Sequence, residues 1–326
     1  MSENLSDRPY DIIAFADTCV DILMTGADVV PRFGQVEKLV DDYAVQMGGS
    51  CCIFACQAAR LGLRVALLGR VGDDDFGRLT LRCLNECGVD TRHMVVDPAL
   101  KTGMGIALCQ EDDRAILTYL GSACAVERGD ISDAFLASAR HMHYGSFFLH
   151  TRLRPHAPDI FRRAKALGLT ISLDTNWDPE ERWNSALPEV LPLTDILMPN
   201  EPEVCHIAGC SVLEEAIACL CQRGVSIVTL KLGAGGARVY DGKSIHECTI
   251  APAEAGGDSV GAGDSFDAGF LAGWLRGMSI DRCLEIACLC GRSVAGAVGG
   301  VAGQPDWETV SRLAGTRIAV VEEKLR

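Results

Sequence analysis

The chain has 326 residues, of which 48% are hydrophobic and 23% are charged, and its formal net charge is −14. This length is enough for one large α/β domain or two smaller ones with a substantial core. The acidic balance argues against a surface that binds nucleic acid or anionic membranes. No apolar run approaches the length of a membrane span, and the polar start lacks secretory character, so we expect a cytoplasmic protein.

Strand-like and helix-like segments alternate along the chain, which predicts a doubly wound α/β fold with a mostly parallel sheet and helices on both faces. Gly62, Gly88 and Gly168 each follow an apolar periodic segment and end a predicted helix. The predicted strands cover 10–15, 65–68, 169–174, 196–198 and 227–231, and the predicted helices cover 50–61, 76–87, 160–167, 214–221, 266–276, 280–297 and 306–313.

Two regions, at about 22–47 and 102–125, break this alternation. Both are polar, rich in turns and β-leaning, and they contain no predicted helix. We interpret them as a small antiparallel β lid on one continuous domain that spans 1–326. Such a lid would cover the carboxyl ends of the parallel strands, where open α/β sheets bind ligands.

Sixteen cysteines invite a metal or disulfide interpretation, but their spacing does not support one. The sequence contains no C-x-x-C pair, and no histidine lies in zinc-finger register. Most cysteines lie in apolar periodic segments, where a free thiol behaves as a small buried hydrophobe. We therefore predict reduced, structural thiols, and we expect the scattered His141 and His143 to be structural as well.

Three short motifs follow predicted strands or open predicted helices. Gly48 and Gly49 open the first helix, so their backbone can approach a ligand closely. Asn200 and Glu203 follow a strand with the spacing of Mg²⁺-organising oxygen donors, although a helix capping box explains the same spacing. Lys231 precedes a glycine-rich turn that either passes beneath a nucleotide or makes a plain hairpin; no Walker A order is present.

The segment 257–270 is the most informative part of the sequence. Small residues before a helix let backbone N–H groups converge on one point, where the helix dipole adds positive potential. Asp264 lies at the edge of this anion cradle, where it could accept a proton from a hydroxyl that attacks a phosphoryl group. The alternative is a strand-to-helix turn in which Asp264 only caps the helix.

Together these segments resemble the ribokinase-like (PfkB) family of small-molecule kinases over nearly the whole chain. Residues 48–77 look like the amino-terminal signature of the family, 200–203 like its N-x-x-E motif, and 258–270 like its D-T-x-G-A-G-D signature. The resemblance implies an ATP-dependent kinase that uses Mg²⁺ and acts on a hydroxymethyl group of a sugar or a sugar-like small molecule.

The resemblance also implies roles for single residues. Asp264 would be the catalytic base, and the backbone of Gly261, Ala262 and Gly263 would form the anion hole. The remaining implied roles are Mg²⁺ and its water shell at Asn200 and Glu203, nucleotide contacts at Lys231, Gly233 and Gly236, acceptor contacts at Asp21, Gly48 and Gly49, and a monovalent cation such as K⁺ at Asp258. Asp17 is a further acceptor-binding candidate, for which turn capping is an equal alternative; Asp174 either faces the cleft or is structural.

One position departs from the family pattern. Many sugar kinases of this family hold a sugar hydroxyl with an Asn four residues after the glycine pair, and this chain has Ile53 there. The acceptor is therefore open: a nucleoside is the alternative within the same chemistry, and a catalytically silent sugar or nucleotide sensor is the alternative from another class. A homodimer through the edge strands of the lid is a further expectation.

Overall fold

The computed structural model describes residues 7–110, 113–251, 259–314 and 319–324. In these ranges the strands are β1 (Tyr10–Phe15), β2 (Cys19–Thr25), β3 (Asp42–Gly48), β4 (Val65–Gly72), β5 (Asp90–Asp97), β6 (Gly103–Gln110), β7 (Asp113–Tyr119), β8 (Ala139–Tyr144), β9 (Thr170–Leu173), β10 (Ile196–Leu197), β11 (Ile227–Lys231), β12 (Ala237–Tyr240), β13 (Ser244–Thr249) and β14 (Ala319–Lys324). The helices are α1 (Ser50–Arg60), α2 (Asp75–Glu86), α3 (Asp133–Ala137), α4 (Ala157–Ala166), α5 (Leu187–Val190), α6 (Glu201–Ala208), α7 (Leu213–Gln222), α8 (Ala262–Trp274), α9 (Ile280–Ala295) and α10 (Trp307–Leu313).

The main sheet has ten strands in the order β14-β13-β12-β11-β10-β9-β8-β1-β4-β5. Every pair from β11 to β5 is parallel, and β12, β13 and β14 extend that edge as antiparallel strands. Because parallel strands end at the same edge of a sheet, the residues that follow β1, β9 and β11 lie at one carboxyl edge.

Helices cover both faces of this sheet, as the continuous apolar runs of its central strands require. All six residues of β1 are buried. Ile13 and Phe15 belong to a core that includes Phe161 of α4, whereas Ile12 belongs to a second core that includes Phe270 of α8. The predicted doubly wound architecture is confirmed.

A second sheet has four strands in the order β3-β2-β6-β7. It was expected to be antiparallel, but its central pair, β2 and β6, is parallel. The reason is topological: β2 follows β1, and β6 follows β5, so both leave the carboxyl edge of the main sheet in the same direction. The outer pairs β2–β3 and β6–β7 are antiparallel.

Among the described residues, no single helix has the length and apolarity needed to cross a membrane. Within the same ranges, the consecutive helices α6 and α7 have that length and apolarity when taken together, and they are bent by 57° relative to each other.

Candidate active site

Helix α8 begins at the carboxyl edge of the main sheet, immediately after Gly261. Gly261 has a φ of 72°, a left-handed conformation that favours glycine, and a Cβ at this position would lie 2.7 Å from the Cα of Gly300. The Ala262 N–H donates to the Ser259 carbonyl at 3.3 Å. The amides of Gly263 and Asp264 belong to the first turn, where N–H groups have no acceptor within the helix. This helix start therefore has the form of an anion-binding site.

Asp264 connects this helix start to helix α1. The Ser50 hydroxyl donates a short hydrogen bond to Asp264 Oδ1, although the two residues lie 214 positions apart. Burial raises the pKa of Asp264 to about 7, and the negative charge of Asp174 adds to this increase; the hydrogen bond from Ser50 opposes it. A carboxyl group with a pKa near neutrality can accept and release a proton at physiological pH.

Replacing Ser50 with alanine is expected to move the acidic limb of the pH profile of kcat/KM upward by about one unit, because the hydrogen bond that stabilises the charged form of Asp264 is lost. Steady-state kinetics across pH measure this shift. Ser279→Ala is the matched control, since Ser279 caps α9 through its hydroxyl. An unshifted limb in Ser50→Ala would separate Ser50 from the protonation of Asp264.

Asp17 follows β1 and caps the N-terminus of α1. Its carboxylate oxygens accept hydrogen bonds from the backbone N–H groups of Ser50 (2.8 Å) and Cys51 (2.9 Å), and the Ser146 hydroxyl donates to it as well. Asp17 is only 2% exposed, and burial raises its pKa to about 6. These contacts favour the capping alternative for Asp17, because its carboxylate already binds the first backbone N–H groups of α1.

Asp21 lies on β2 and faces two glycines of neighbouring strands. A Cβ at Gly48 would lie 2.3 Å from Asp21 Oδ2, and a Cβ at Gly105 would lie 2.8 Å from its Oδ1. Both glycines are therefore required to make room for this carboxylate. Gly49 follows Gly48 and has a φ of 87°, and its Cβ would lie 2.4 Å from the Asp17 carbonyl oxygen. The predicted acceptor contacts Asp21, Gly48 and Gly49 thus adjoin Ser50 and, through it, Asp264.

Gln46 lies opposite Asp21 in the β2–β3 pair, so their side chains point to the same face of the four-stranded sheet. A Cβ at Gly299 would lie 1.6 Å from Gln46 Oε1, which places this amide against the loop that follows α9. The Gln46 Nε2 atom is buried and has no hydrogen-bond partner among the residues that the structure describes. A buried amide donor on the Asp21 face of the sheet is therefore left without an acceptor.

Ile53, the departure from the family pattern, packs beneath the start of α8. Its Cγ2 would lie 2.8 Å from a Cβ at Gly261, and its Cδ1 would lie 2.5 Å from a Cβ at Gly300. Ile53 is buried. The side chain therefore shapes the glycine turn, and it has no polar atom with which to bind an acceptor hydroxyl.

Lys231 ends β11 and forms a buried ion cluster. Its Nζ lies 2.8 Å from Asp174 Oδ2 and 3.2 Å from Asp267 Oδ2. Burial opposes the charge of Lys231, but Asp174 and then Asp267 raise its pKa. Burial raises the pKa of Asp267, whereas Lys231 and a hydrogen bond from Asp267 outweigh burial and lower the pKa of Asp174. The positive charge of Lys231 is thus balanced by the carboxylate of Asp174, while Asp267 favours its protonated form.

Asn200 and Glu203 form the capping box of α6. The Glu203 N–H donates to Asn200 Oδ1 at 2.9 Å, and the Asn200 N–H donates to Glu203 Oε2 at 2.9 Å. Burial and the nearby charge of Asp174 raise the pKa of Glu203 to about 7, and Lys231 opposes this increase. Each side chain keeps a second polar atom beyond those in the box, so capping leaves both residues able to contact bound water.

A cavity of about 300 Å³ is bordered by Ala262 and Gly263, the two residues that precede Asp264. Gly236 has a φ of 94°, and a Cβ there would lie 2.0 Å from the Cys248 carbonyl oxygen, so this turn requires glycine. The walls combine small residues with apolar side chains and open onto the start of α8. Residues that line the cavity include Lys231, Gly233, Gly236, Gly263, Phe266 and Cys288.

Three remaining predictions concern residues beside or away from this cavity. Asp258, the predicted cation contact, lies outside the described residues. His141 and His143 both bond to the Ser172 hydroxyl at 2.8 Å, and burial lowers the pKa of each. They form a buried polar network, as expected. All sixteen cysteines lie in the described part of the chain and are free thiols.

The sequence profile described as pfkB family carbohydrate kinase matches residues 12–307. The chain belongs to this family. The chain is 33% identical over 258 residues to the ATP-dependent ribose-1-phosphate kinase of Halopiger xanaduensis. The aligned residues cover 77% of this chain and 81% of that relative. It is also 30% identical over 245 residues to a nucleoside kinase of Methanothermobacter thermautotrophicus, covering 74% and 75%.

Solved structures agree with this membership of the pfkB family. An Escherichia coli protein provisionally assigned as ribokinase II, solved in complex with ATP and Mg²⁺, is 27% identical, with a TM-score of 0.81 over 93% of this chain and 98% of that one. Arabidopsis thaliana ribokinase, complexed with ribose and ATP, has the same fold with a TM-score of 0.81 at 23% identity, over 94% and 99%. The predicted ribokinase-like fold and family are confirmed.

Sequence reasoning missed three side chains of this pfkB-family protein that the structure brings to the site. Ser50 follows the glycine pair, so its place at a helix start was visible, but its bond to Asp264 was not. Asp267 lies three residues after Asp264, which puts both carboxylates on one face of α8. That spacing was the available signal. Gln46 carried no signal until its strand was paired with β2.

Proposed function

We propose that this pfkB-family protein transfers the γ-phosphoryl group of ATP to a hydroxymethyl group of a sugar or a sugar-like acceptor, with Asp264 as the base. The observation that carries this proposal is the position of Asp264 between two regions. Ser50, which adjoins Gly48 and Asp21, bonds to Asp264, and Gly263, which directly precedes Asp264, lines the cavity that Lys231 and the glycine-rich turn border.

In the proposed reaction the oxygen of the acceptor hydroxyl bonds to the γ-phosphorus atom, and Asp264 accepts the proton of that hydroxyl. The bond from that phosphorus to the bridging oxygen breaks, and ADP leaves with the electron pair. The backbone of Gly261, Ala262 and Gly263 at the start of α8 would hold the charge of the transferring group. Ser50 would orient the base, and most of the acceleration would come from positioning and charge neutralisation.

We place the nucleotide in the cavity, because the volume and the apolar walls of the cavity suit a base and a ribose. Gly233 and Gly236 would let the turn pass close to the nucleotide, and Lys231 would face the phosphates, since a Cβ at Gly263 would lie 3.7 Å from its Nζ. Asn200 and Glu203 offer the oxygen donors that Mg²⁺ prefers, and they would hold it through water. When bound, Mg²⁺ neutralises the charge that develops on the phosphate oxygens.

We place the acceptor against Asp21, Gly48 and Gly49, with Gln46 as a further contact because its buried amide nitrogen has no partner. Replacing Gln46 with alanine is expected to raise KM for the acceptor about tenfold and to leave KM for ATP unchanged, since one hydrogen bond to the acceptor is lost. Steady-state kinetics with each substrate varied measure this, and exposed Gln222→Ala is the control. An equal change in both KM values would contradict a direct contact.

A nucleoside acceptor is the second candidate within the same chemistry. Ile53 supplies no hydrogen bond where a sugar-binding Asn is usual, and the relative from Methanothermobacter thermautotrophicus is a nucleoside kinase. A furanose that carries a base exposes fewer hydroxyl groups than a hexose, so it needs fewer polar contacts. Asp21 and Gln46 would then divide the two hydroxyls of the ribose ring between them.

An ATP-depletion screen across sugars, sugar phosphates and nucleosides tests the proposed function. We expect ADP to form only when an acceptor with a free hydroxymethyl group is present. The screen is run with Na⁺ and with K⁺, because the family resemblance implies a monovalent cation at Asp258. Tight ligand binding without any acceptor-dependent ADP would instead support a sensor.

We also propose a homodimer that forms through the four-stranded sheet. Tyr43 and Val45 of β3 and Leu117 and Tyr119 of β7 lie on the face opposite Asp21, and all four side chains are exposed; Tyr43 is 69% and Leu117 is 63% exposed. An apolar face of this kind is typical of a protein interface.

Tyr43→Glu is expected to shift the protein from dimer to monomer, because the substitution buries a charge in the proposed interface. Sedimentation velocity measures the oligomeric state. Val212→Glu, at another exposed apolar position, is the matched control. A wild-type protein that sediments as a monomer at micromolar concentration would refute the interface.

We propose that the protein works in the cytoplasm. ATP is its phosphoryl donor in the proposed reaction, and sixteen free thiols suit a reducing compartment.

A further inference from the structure

Three cysteine side chains meet where helix α1 packs near the end of helix α2, away from the candidate active site. Cys56 lies on α1, Cys83 lies on α2, and Cys87 follows the last residue of α2. The three sulfur atoms all lie within 4.8 Å of one another. Cys83 and Cys87 share a helix face because they are four residues apart. Cys56 comes from a different helix, so no short sequence motif predicts that the three cysteines lie together.

We propose that Cys56, Cys83 and Cys87 form a binding site for one soft, thiophilic metal ion of the Cu⁺ and Zn²⁺ class. Three thiolates around one ion with metal–sulfur bonds of about 2.3 Å place their sulfur atoms about 4 Å apart. The three sulfur atoms of this cluster lie within 4.8 Å of one another, so binding requires no rearrangement of the two helices. Among the described residues, the group contains no histidine or carboxylate, and an all-sulfur set selects soft ions.

A positively charged side chain lies beside the cluster. Arg60 lies one turn after Cys56 on α1, and its Nη2 lies 3.8 Å from the Cys87 sulfur. Cys56 is buried, whereas Cys83 and Cys87 are partly exposed, so an ion can reach the site from solvent.

Binding is an exchange of protons for metal and involves no change in oxidation state. The S–H bonds of the three cysteines break, their protons pass to the solvent, and three sulfur–metal bonds form. We therefore expect up to three protons to be released for each ion near neutral pH. The bound ion would cross-link α1 to α2.

The test titrates the reduced, full-length protein without oxygen, in one series with Cu⁺ buffered by a chelator and in another with Zn²⁺. We expect one tightly held ion per chain in at least one series, with sulfur-to-metal charge-transfer absorption for Cu⁺. Cys83→Ser and Cys87→Ser are each expected to weaken binding at least tenfold. The double variant Cys219→Ser and Cys221→Ser is the matched control, because these thiols lie on α7, outside the cluster, and are also partly exposed.

Two results would overturn the proposal. One is the absence of a stoichiometric ion in both series; the other is an equal loss of binding in the α7 control. A second measurement avoids dependence on folding of the serine variants: bound metal should protect Cys83 and Cys87 of the wild-type protein from iodoacetamide, as read by peptide mass spectrometry. Unchanged alkylation of these two residues at saturating metal would also exclude the site.

Discussion

Replacing Asp264 with asparagine is expected to lower turnover by roughly two to four orders of magnitude, the usual effect of removing a positioned base. Asparagine keeps the shape of the side chain and can still accept the hydrogen bond from Ser50. The fold and ATP affinity should therefore persist. Single-turnover kinetics and ATP titration measure the two effects separately.

The same variant should be more stable than the wild-type protein at alkaline pH. Burial raises the pKa of Asp264 to about 7, so ionising it in the folded state is unfavourable. This penalty is absent below the ordinary pKa of an aspartate, grows as the pH rises towards 7, and is complete above it. Asp264→Asn removes the penalty, and we expect its Tm to exceed that of the wild type by a few degrees at pH 8 and to match it near pH 4.

The control for these measurements is Glu308→Gln, which removes an exposed acid from the first turn of α10. It should change neither turnover nor the pH dependence of Tm. Near-normal turnover of Asp264→Asn would remove Asp264 from the mechanism. A loss of turnover accompanied by a lower Tm at pH 8 would instead point to a structural role.

Replacing Lys231 with methionine is expected to destabilise the protein by about 3–5 kcal/mol, since it leaves a buried carboxylate without its counter-ion. Lys231 is the cation that offsets Asp174 and Asp267 in their buried cluster. The loss should be largest at pH 8 and smaller near pH 5, because Asp174 without Lys231 would take up a proton as the pH falls. Urea denaturation at both pH values measures this.

Two comparison variants sharpen this prediction. Lys165→Met removes a partly exposed ion pair with Asp195 and should cost about 1 kcal/mol or less. Adding Asp174→Asn to Lys231→Met should restore much of the lost stability, because the uncompensated charge is then gone. If Lys231→Met behaves like Lys165→Met, the cluster is not an ion pair of the folded state.

The sequence predicted those parts of the fold that local patterns determine. β1 and β11 were visible as apolar runs, α8 as a long and mostly apolar segment, and α9 as a long amphipathic one. The antiparallel strands β12 to β14 and the edge strand β5 carry weaker patterns and were not predicted. The parallel pairing of β2 with β6 was also missed, since it depends on where the chain leaves the main sheet and not on the residues of either strand.

The same distinction applies to the site. Asp264 and the glycines before it form one short segment, so their chemistry was readable. The contact between Ser50 and Asp264 joins residues that are 214 positions apart, and the Lys231 cluster draws on three separate elements. The capping box at Asn200 and Glu203 was weighed as an alternative to a magnesium role. The structure contains that box, and the magnesium role stays a prediction.

Ile53 limits how the selectivity of this protein can be redesigned. Its side chain packs against both Gly261 and Gly300, so it helps to hold the first turn of α8 in place. Replacing Ile53 with the asparagine that is usual in sugar kinases would remove this packing, and the loss would offset any hydrogen bond that the asparagine gained. Altered acceptor choice would therefore require a bulkier partner near position 300 in the same variant.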